Sequence, residues 1–269
     1  MTIKKAYVDI AAGQIHYRIR PGGSGLPLAF YHRTPASSAS FEPMMTMMAD
    51  DRPLFAFDTP GFGQSFNPDG MPKMTDYAGW MLEALKALDL PSVHIFAHHT
   101  GTHIATEMAL LEPQSVTSLM LNGIAYLTAN ERGQFQKMMS HPKPPDAAGD
   151  YLKTTWKTIS GLFSDFDPEL TPIEYWGALR ALDGRRQIHT AIWQDDYRHM
   201  LARVTCPILA MCAKDDLLRP YFDRVKQDRP DAKWVVTGAA RFFSPELDTA
   251  RIVKEVRDFL EHVDKRWNP

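Results

Sequence analysis

The sequence predicts an α/β fold: a mostly parallel eight-stranded sheet with helices on both faces and an inserted helical cap. Three observations lead there. Eight short apolar runs, each bounded by turn residues, recur along the 269 residues. From the third run onward each is followed by a stretch of helical periodicity, the alternation that parallel strands and crossover helices produce. Between residues 123 and 206 the alternation stops, and aromatic residues in helical patterns take its place.

The runs are KAYVDI (5–10), QIHYRIR (14–20), LPLAFY (26–31), PLFAFD (53–58), VHIFA (93–97), SLMLN (118–122), PILAMC (207–212) and KWVVT (233–237). The first two flank Ala11-Ala12-Gly13 and read as a hairpin. TDYAGWMLEALKALDL (75–90) is the clearest helix, with Thr75 as the expected N-cap and Leu82, Leu85 and Leu88 at helical spacing. DTARIVKEVRDFLEHV (248–263) reads as a C-terminal helix. The middle region carries Met138, Met139, Trp156, Phe163, Phe166, Tyr175, Trp176 and Trp193, split by Pro144, Pro145, Pro168 and Pro172. A structureless loop of that length is out of place in a compact domain. Residues 128–199 are therefore expected to form a cap on a core built from 1–127 and 200–269. Most of the aromatics should pack the cap onto the core, with Trp156, Trp176 and Trp193 as candidates for lining a pocket.

Composition narrows the function classes. A chain of this length buries a sizeable core without disulfides or a metal. A formal net charge of -2 and the lack of a Lys/Arg cluster argue against nucleic acid as a partner. No apolar run is long enough to span a membrane, and MTIKKAYVDI lacks the apolar stretch of a signal peptide. Cys206 and Cys212 fall on one expected strand, roughly 20 Å apart at about 3.3 Å per residue, too far to bridge. A reducing cytoplasm is the expected compartment, and no cofactor or metal is expected. The oligomeric state stays open, a homodimer included.

Five segments then carry a resemblance. GQIHYRIRPGGSGLPLAFYHRTPASSASFEPM (13–44), FAFDTPGFGQSFNP (55–68), VHIFAHHTGTHIATEMAL (93–110), CPILAMCAKDDLLRP (206–220) and KWVVTGAARFFSPEL (233–247) resemble, in order, segments of the α/β-hydrolase fold superfamily. The resemblance implies an oxyanion-type loop around His32, Arg33 and Thr34, with Arg33 at the usual glycine. It implies a D-x-P-G-x-G-x-S turn through Asp58, Pro60, Gly61, Gly63 and Ser65. It places His99 where the family keeps its nucleophilic serine, the triad acid at Asp215, and Arg241 where the family keeps its triad histidine. A serine hydrolase needs a hydroxyl and a general base within reach of it. Arginine is effectively always protonated and cannot take that proton, so this mapping excludes the standard serine mechanism.

The turn itself remains in the pattern, because Ala97 and Gly101 are still small. His99, on its apex, is expected to act as acid and base, with Asp215 holding its tautomer. Arg241 either pairs with Asp215 as a buried fork or faces a substrate, and Arg33 is either a solvated loop residue or a second cation in the pocket. Cations there would favour a small anionic or enolisable substrate. Thr100 contributes the backbone N–H of an oxyanion site together with the loop near Arg33 and Thr34. Asn122 stands where some relatives keep an alternative acid, and Ser37 and Ser38 read as helix-start residues. His99, His103 and Glu107 have i, i+4, i+8 spacing, but the glutamate that a metalloprotease needs after the first histidine is missing; His103 is expected to be a satisfied core histidine. The expected function is action on an ester, a lactone or a 1,3-dicarbonyl or β-keto acid, by hydrolysis or by C–C cleavage and decarboxylation. The rivals are a ligand-binding homologue without catalysis and ordinary hydrolysis through an unrecognised serine.

Overall fold

The computed structural model describes residues 2–48, 52–138, 142–162 and 167–267; Met139, Phe163 and Phe166 lie outside them. All eight expected strands are present: β1 (Lys4–Ile10), β2 (Gly13–Arg20), β3 (Leu28–Tyr31), β4 (Leu54–Phe57), β5 (Val93–His98), β6 (Val116–Asn122), β7 (Ile208–Ala213) and β8 (Lys233–Thr237). They form one sheet in the order β1-β2-β4-β3-β5-β6-β7-β8. The β1–β2 hairpin and the β2–β4 pair are antiparallel, and every other pair is parallel. Cys206 precedes β7 rather than lying on it, and both cysteines are free.

Alternation along the strands divides the core in two. Leu28 and Phe30 of β3 and Phe96 of β5 point to one face, where they meet α1 (Glu42–Met47) and the C-terminal helix through Met44, Met45, Ile252 and Val256. Ala29 and Tyr31, with Ile95 and Ala97, point to the other face. There they pack with α2 (Met74–Ala87) and α3 (Thr100–Leu111) through Tyr77, Met81, Ile104 and Met108. The sheet is thus buried on both sides, which explains why its central strands read as continuous apolar runs.

Helix α2 starts one residue before the expected cap. Lys73 occupies the N-cap, and the Asp76 side chain accepts its backbone N–H at 2.7 Å, so Thr75 lies inside the first turn. The acid three residues on, rather than the threonine, sets the boundary. Between β6 and β7 the chain forms α4 (Ala129–Met138), α5 (Asp150–Ser160), α6 (Leu170–Arg180), α7 (Leu182–Gln194) and α8 (Tyr197–Arg203). After β7 come α9 (Arg219–Asp228), then α10 (Ser244–Leu247) and α11 (Thr249–Trp267) beyond β8.

The connection from β5 to α3 turns on one residue. His99 has φ 46° and ψ −110°, a conformation that costs about 1–3 kcal/mol and persists only where its surroundings impose it. Gly101 shows what imposes it: a Cβ there would sit 2.3 Å from the carbonyl oxygen of Tyr31 on neighbouring β3. Only a bare backbone lets α3 start so close to the sheet. Gly101→Ala is therefore expected to lower stability by about 1–3 kcal/mol through overpacking. Gly79→Ala in α2, where an added Cβ meets nothing within 4 Å, is expected to raise it by about 0.5–1 kcal/mol. Urea titrations of both variants beside the parent chain read the two opposite signs.

Candidate active site

The strained turn projects the His99 imidazole beyond the carboxyl edge of the sheet. Its backbone N–H donates to the Asn122 carbonyl at the end of β6 (2.8 Å). Its ring lies against Gly123, where an added Cβ would come within 2.5 Å of Nε2. Nε2–H donates to Asp216 Oδ2 at 2.8 Å, and the other oxygen of Asp216 accepts the backbone N–H of Leu218 at 2.8 Å. The carboxylate is almost wholly buried (1 % side-chain exposure), so the pair is shielded from solvent.

The acid beside His99 is thus Asp216 and not Asp215. Asp215 accepts the backbone N–H groups of Ala240 and Arg241 (both 2.9 Å) and so fastens the loop after β8. Burial raises the pKa of its carboxyl, but those two N–H groups outweigh burial and hold it below the ordinary value.

Neither arginine lines the cavity beside His99. Arg241, at φ 44°, meets Asp215 through its backbone, while its guanidinium donates to the Leu162 carbonyl at 3.3 Å. Arg33 is neither a solvated loop residue nor a free cation. It is buried, donates to Glu174 Oε1 on α6 (2.5 Å) and to Glu246 Oε1 on α10 (2.7 Å), and covers the Phe243 ring at 4.6 Å. One guanidinium is shared between two buried acids. Burial pushes the Glu174 carboxyl up to about 7 despite Arg33, and raises that of Glu246 as well.

A cavity of ≈ 60 Å³ opens beside His99. Its walls are His99, Thr100 and His103 from the elbow, Ala125 after β6, Phe135 of α4, His189, Ile192 and Trp193 of α7, Leu217 and Leu218 after β7, and Phe242 from the loop after β8. Of the three candidate tryptophans, Trp193 lines it. Trp176 is 67 % exposed on α6, and Trp156 is 39 % exposed and packs edge-on against Tyr175, so neither stands on its wall. Thr34 donates its hydroxyl to that of Thr100 (3.2 Å), which ties the loop after β3 to the start of α3. His32 is fully engaged in that loop: Nδ1–H donates to the Arg33 carbonyl (2.8 Å), and Nε2 accepts the Thr59 N–H (3.0 Å). Asn122 contributes its backbone carbonyl, while its side-chain Nδ2 is buried without a partner among the described residues. Ser38 accepts from Arg18 and Ser37 caps a short helical turn, so both serines serve the loop. Sequence reasoning missed Asp216, Leu218 and Phe242; the Asp215-Asp216 doublet was the available signal for the first.

Such a turn, on such a sheet, is the architecture of an α/β hydrolase. A family model described as the α/β hydrolase fold matches residues 25–172. The chain belongs to the α/β-hydrolase fold family. It is 26% identical over 121 residues to a proline iminopeptidase of Heyndrickxia coagulans, a match covering 44% of this chain and 42% of that protein. It is 24% identical over 253 residues to a putative carbamate hydrolase RutD of Escherichia coli O1:K1 / APEC, covering 84% of this chain and 89% of the relative. The crystal structure of E-2-(acetamidomethylene)succinate hydrolase superposes with a TM-score of 0.78 at 19% identity, over 97% of this chain and 100% of the other. Among the described residues no helix is long and apolar enough to cross a membrane.

The Arg33 cluster makes stability depend on pH with a definite sign. The Glu174 carboxyl rises from an ordinary value of 4.5 to about 7 on folding. The unfolded chain therefore ionises first as pH rises, and stability present below 4.5 is lost through about 7. The melting temperature is expected to fall across that window, and Glu174→Gln, with nothing to ionise, to flatten the fall. A melting difference between the two proteins that does not change with pH would exclude this carboxyl as the source.

Proposed function

We propose that the chain is a hydrolase of small, uncharged carbonyl compounds (an ester, lactone or carbamate) that uses His99 to activate water directly. The observation that carries this reading is the 2.8 Å contact of His99 Nε2 with Asp216 on the strained turn. Because the carboxylate accepts Nε2–H, the lone pair of the neutral ring resides on Nδ1, which has no hydrogen-bond partner among the described residues. A base oriented by a buried carboxylate is the arrangement that general-base catalysis needs. Nδ1 takes a proton from water as its oxygen attacks the carbonyl carbon. The N–H of Thr100, first in α3 and without a helical partner, and an N–H of the loop at Arg33 and Thr34 supply the donors for the oxyanion. The imidazolium then returns the proton to the departing alkoxide or amine. With no hydroxyl on the turn, no acyl-serine forms.

The same base would suit C–C cleavage of a 1,3-dicarbonyl acid, but the cavity wall offers a substrate carboxylate no arginine or lysine. That lining supports an uncharged substrate over the anionic one that free arginines would have favoured. The names of the relatives, an iminopeptidase and a putative carbamate hydrolase, are those of hydrolytic enzymes.

Turnover of p-nitrophenyl acetate, γ-butyrolactone, ethyl carbamate and acetoacetate tests the proposal. His99→Ala is expected to lower kcat on the uncharged substrates by about 10²–10⁴-fold. Asp216→Asn should cost about 10²-fold, and Asp215→Asn less than about tenfold. Saturable binding without turnover in the parent chain would identify a ligand-binding homologue instead. Labelling by a fluorophosphonate would restore a serine mechanism.

A further inference from the structure

We infer that His103 is a substrate-binding residue: it forms the polar floor of the cavity and selects uncharged ligands that carry a second hydrogen-bonding group beyond the carbonyl. The inference rests on the reading of this cavity as the substrate site. His103 lies in the first turn of α3, four residues after His99, and both residues line the cavity. Its side chain lines the cavity, yet both ring nitrogens are buried and lack a hydrogen-bond partner among the described residues. The sequence suggested a satisfied core histidine, and the structure shows an unsatisfied one.

Packing does not account for the imidazole. The ring rests on Tyr197 with 4.3 Å between centroids, a contact that a phenylalanine would make equally well. The Tyr197 hydroxyl is already engaged by Thr106 (2.8 Å) and donates to the Thr102 carbonyl (3.4 Å), so it cannot serve His103. A neutral imidazole always presents one donor and one acceptor, and buried polar groups find partners in folded proteins. Burial keeps this one neutral, pushing its pKa down to about 3. The rest of the wall carries two further imidazoles, His99 and His189, among apolar side chains such as Phe135, Ile192, Trp193 and Phe242. A ligand hydroxyl or N–H-bearing amide beyond the carbonyl beside His99 would both give and receive at His103. A carboxylate or ammonium would meet an uncharged ring at the floor and no arginine, lysine, aspartate or glutamate among the described residues of the wall.

Two lactams that resist hydrolysis separate binding from turnover: 2-pyrrolidinone and 4-hydroxy-2-pyrrolidinone, which adds one hydroxyl across the ring. Titration followed by NMR should show the parent chain binding the hydroxylated lactam about tenfold tighter, the worth of one good neutral hydrogen bond. In His103→Phe the ratio should collapse to about one, and His103→Asn, which keeps a donor and an acceptor, should restore part of it. A purely structural role would weaken both lactams together and leave their ratio unchanged, which would overturn the inference, as would equal affinities in the parent chain. The result is independent of the His99 reading: if turnover survives His99→Ala while the lactam ratio still depends on residue 103, the base is wrong and the floor stands.

Discussion

Everything at this site depends on how closely α3 approaches the sheet. The Tyr31 carbonyl leaves no room for a side chain at residue 101, and two residues earlier the backbone at His99 takes positive φ. The ring is held by its hydrogen bond to Asp216. The ring then needs space on its far side, and Gly123 at the end of β6 provides it. Two bare backbone positions on two different strand connections therefore fix one side chain from opposite directions.

A histidine mounted on such a turn changes what its surroundings must do. A hydroxyl requires a separate base; an imidazole is itself the base and requires only an acid to orient it. Asp216 lies beside the ring, and Arg241 turns its guanidinium to a backbone carbonyl. His98, on the last position of β5, contributes an uncharged edge 4.7 Å from the His99 ring; burial first, and then His99, Arg33 and His32, hold its pKa well below the ordinary value. Neutral neighbours of this kind add no charge to the base beside them.

The sheet was legible in the sequence because its signal is local. Apolar runs such as LFAF and ILAMCA are bounded by prolines and charged turns within a few residues, and each became a strand. Helix ends were less so: the start of α2 depends on which of Thr75 and Asp76 caps it, a choice made by rotamer and not by residue type. At the site, the turn at His99 was readable from the small residues around it. Its partner was not, since two adjacent aspartates differ only in where the β7 loop points them. The fate of Arg33 was beyond local reading altogether, because its acids lie 141 and 213 residues away in the chain.

The helices between β6 and β7 are held to the rest by ion pairs of unequal character. At α6 the Arg33–Glu174 pair is buried on both sides. At α4 the Arg224–Glu131 pair is half open to solvent, with 34 % and 19 % exposure. Dissolved ions weaken the second and scarcely reach the first. Raising ionic strength therefore weakens the fastening of α4, the helix that carries Phe135 over the hollow, more than the fastening of α6.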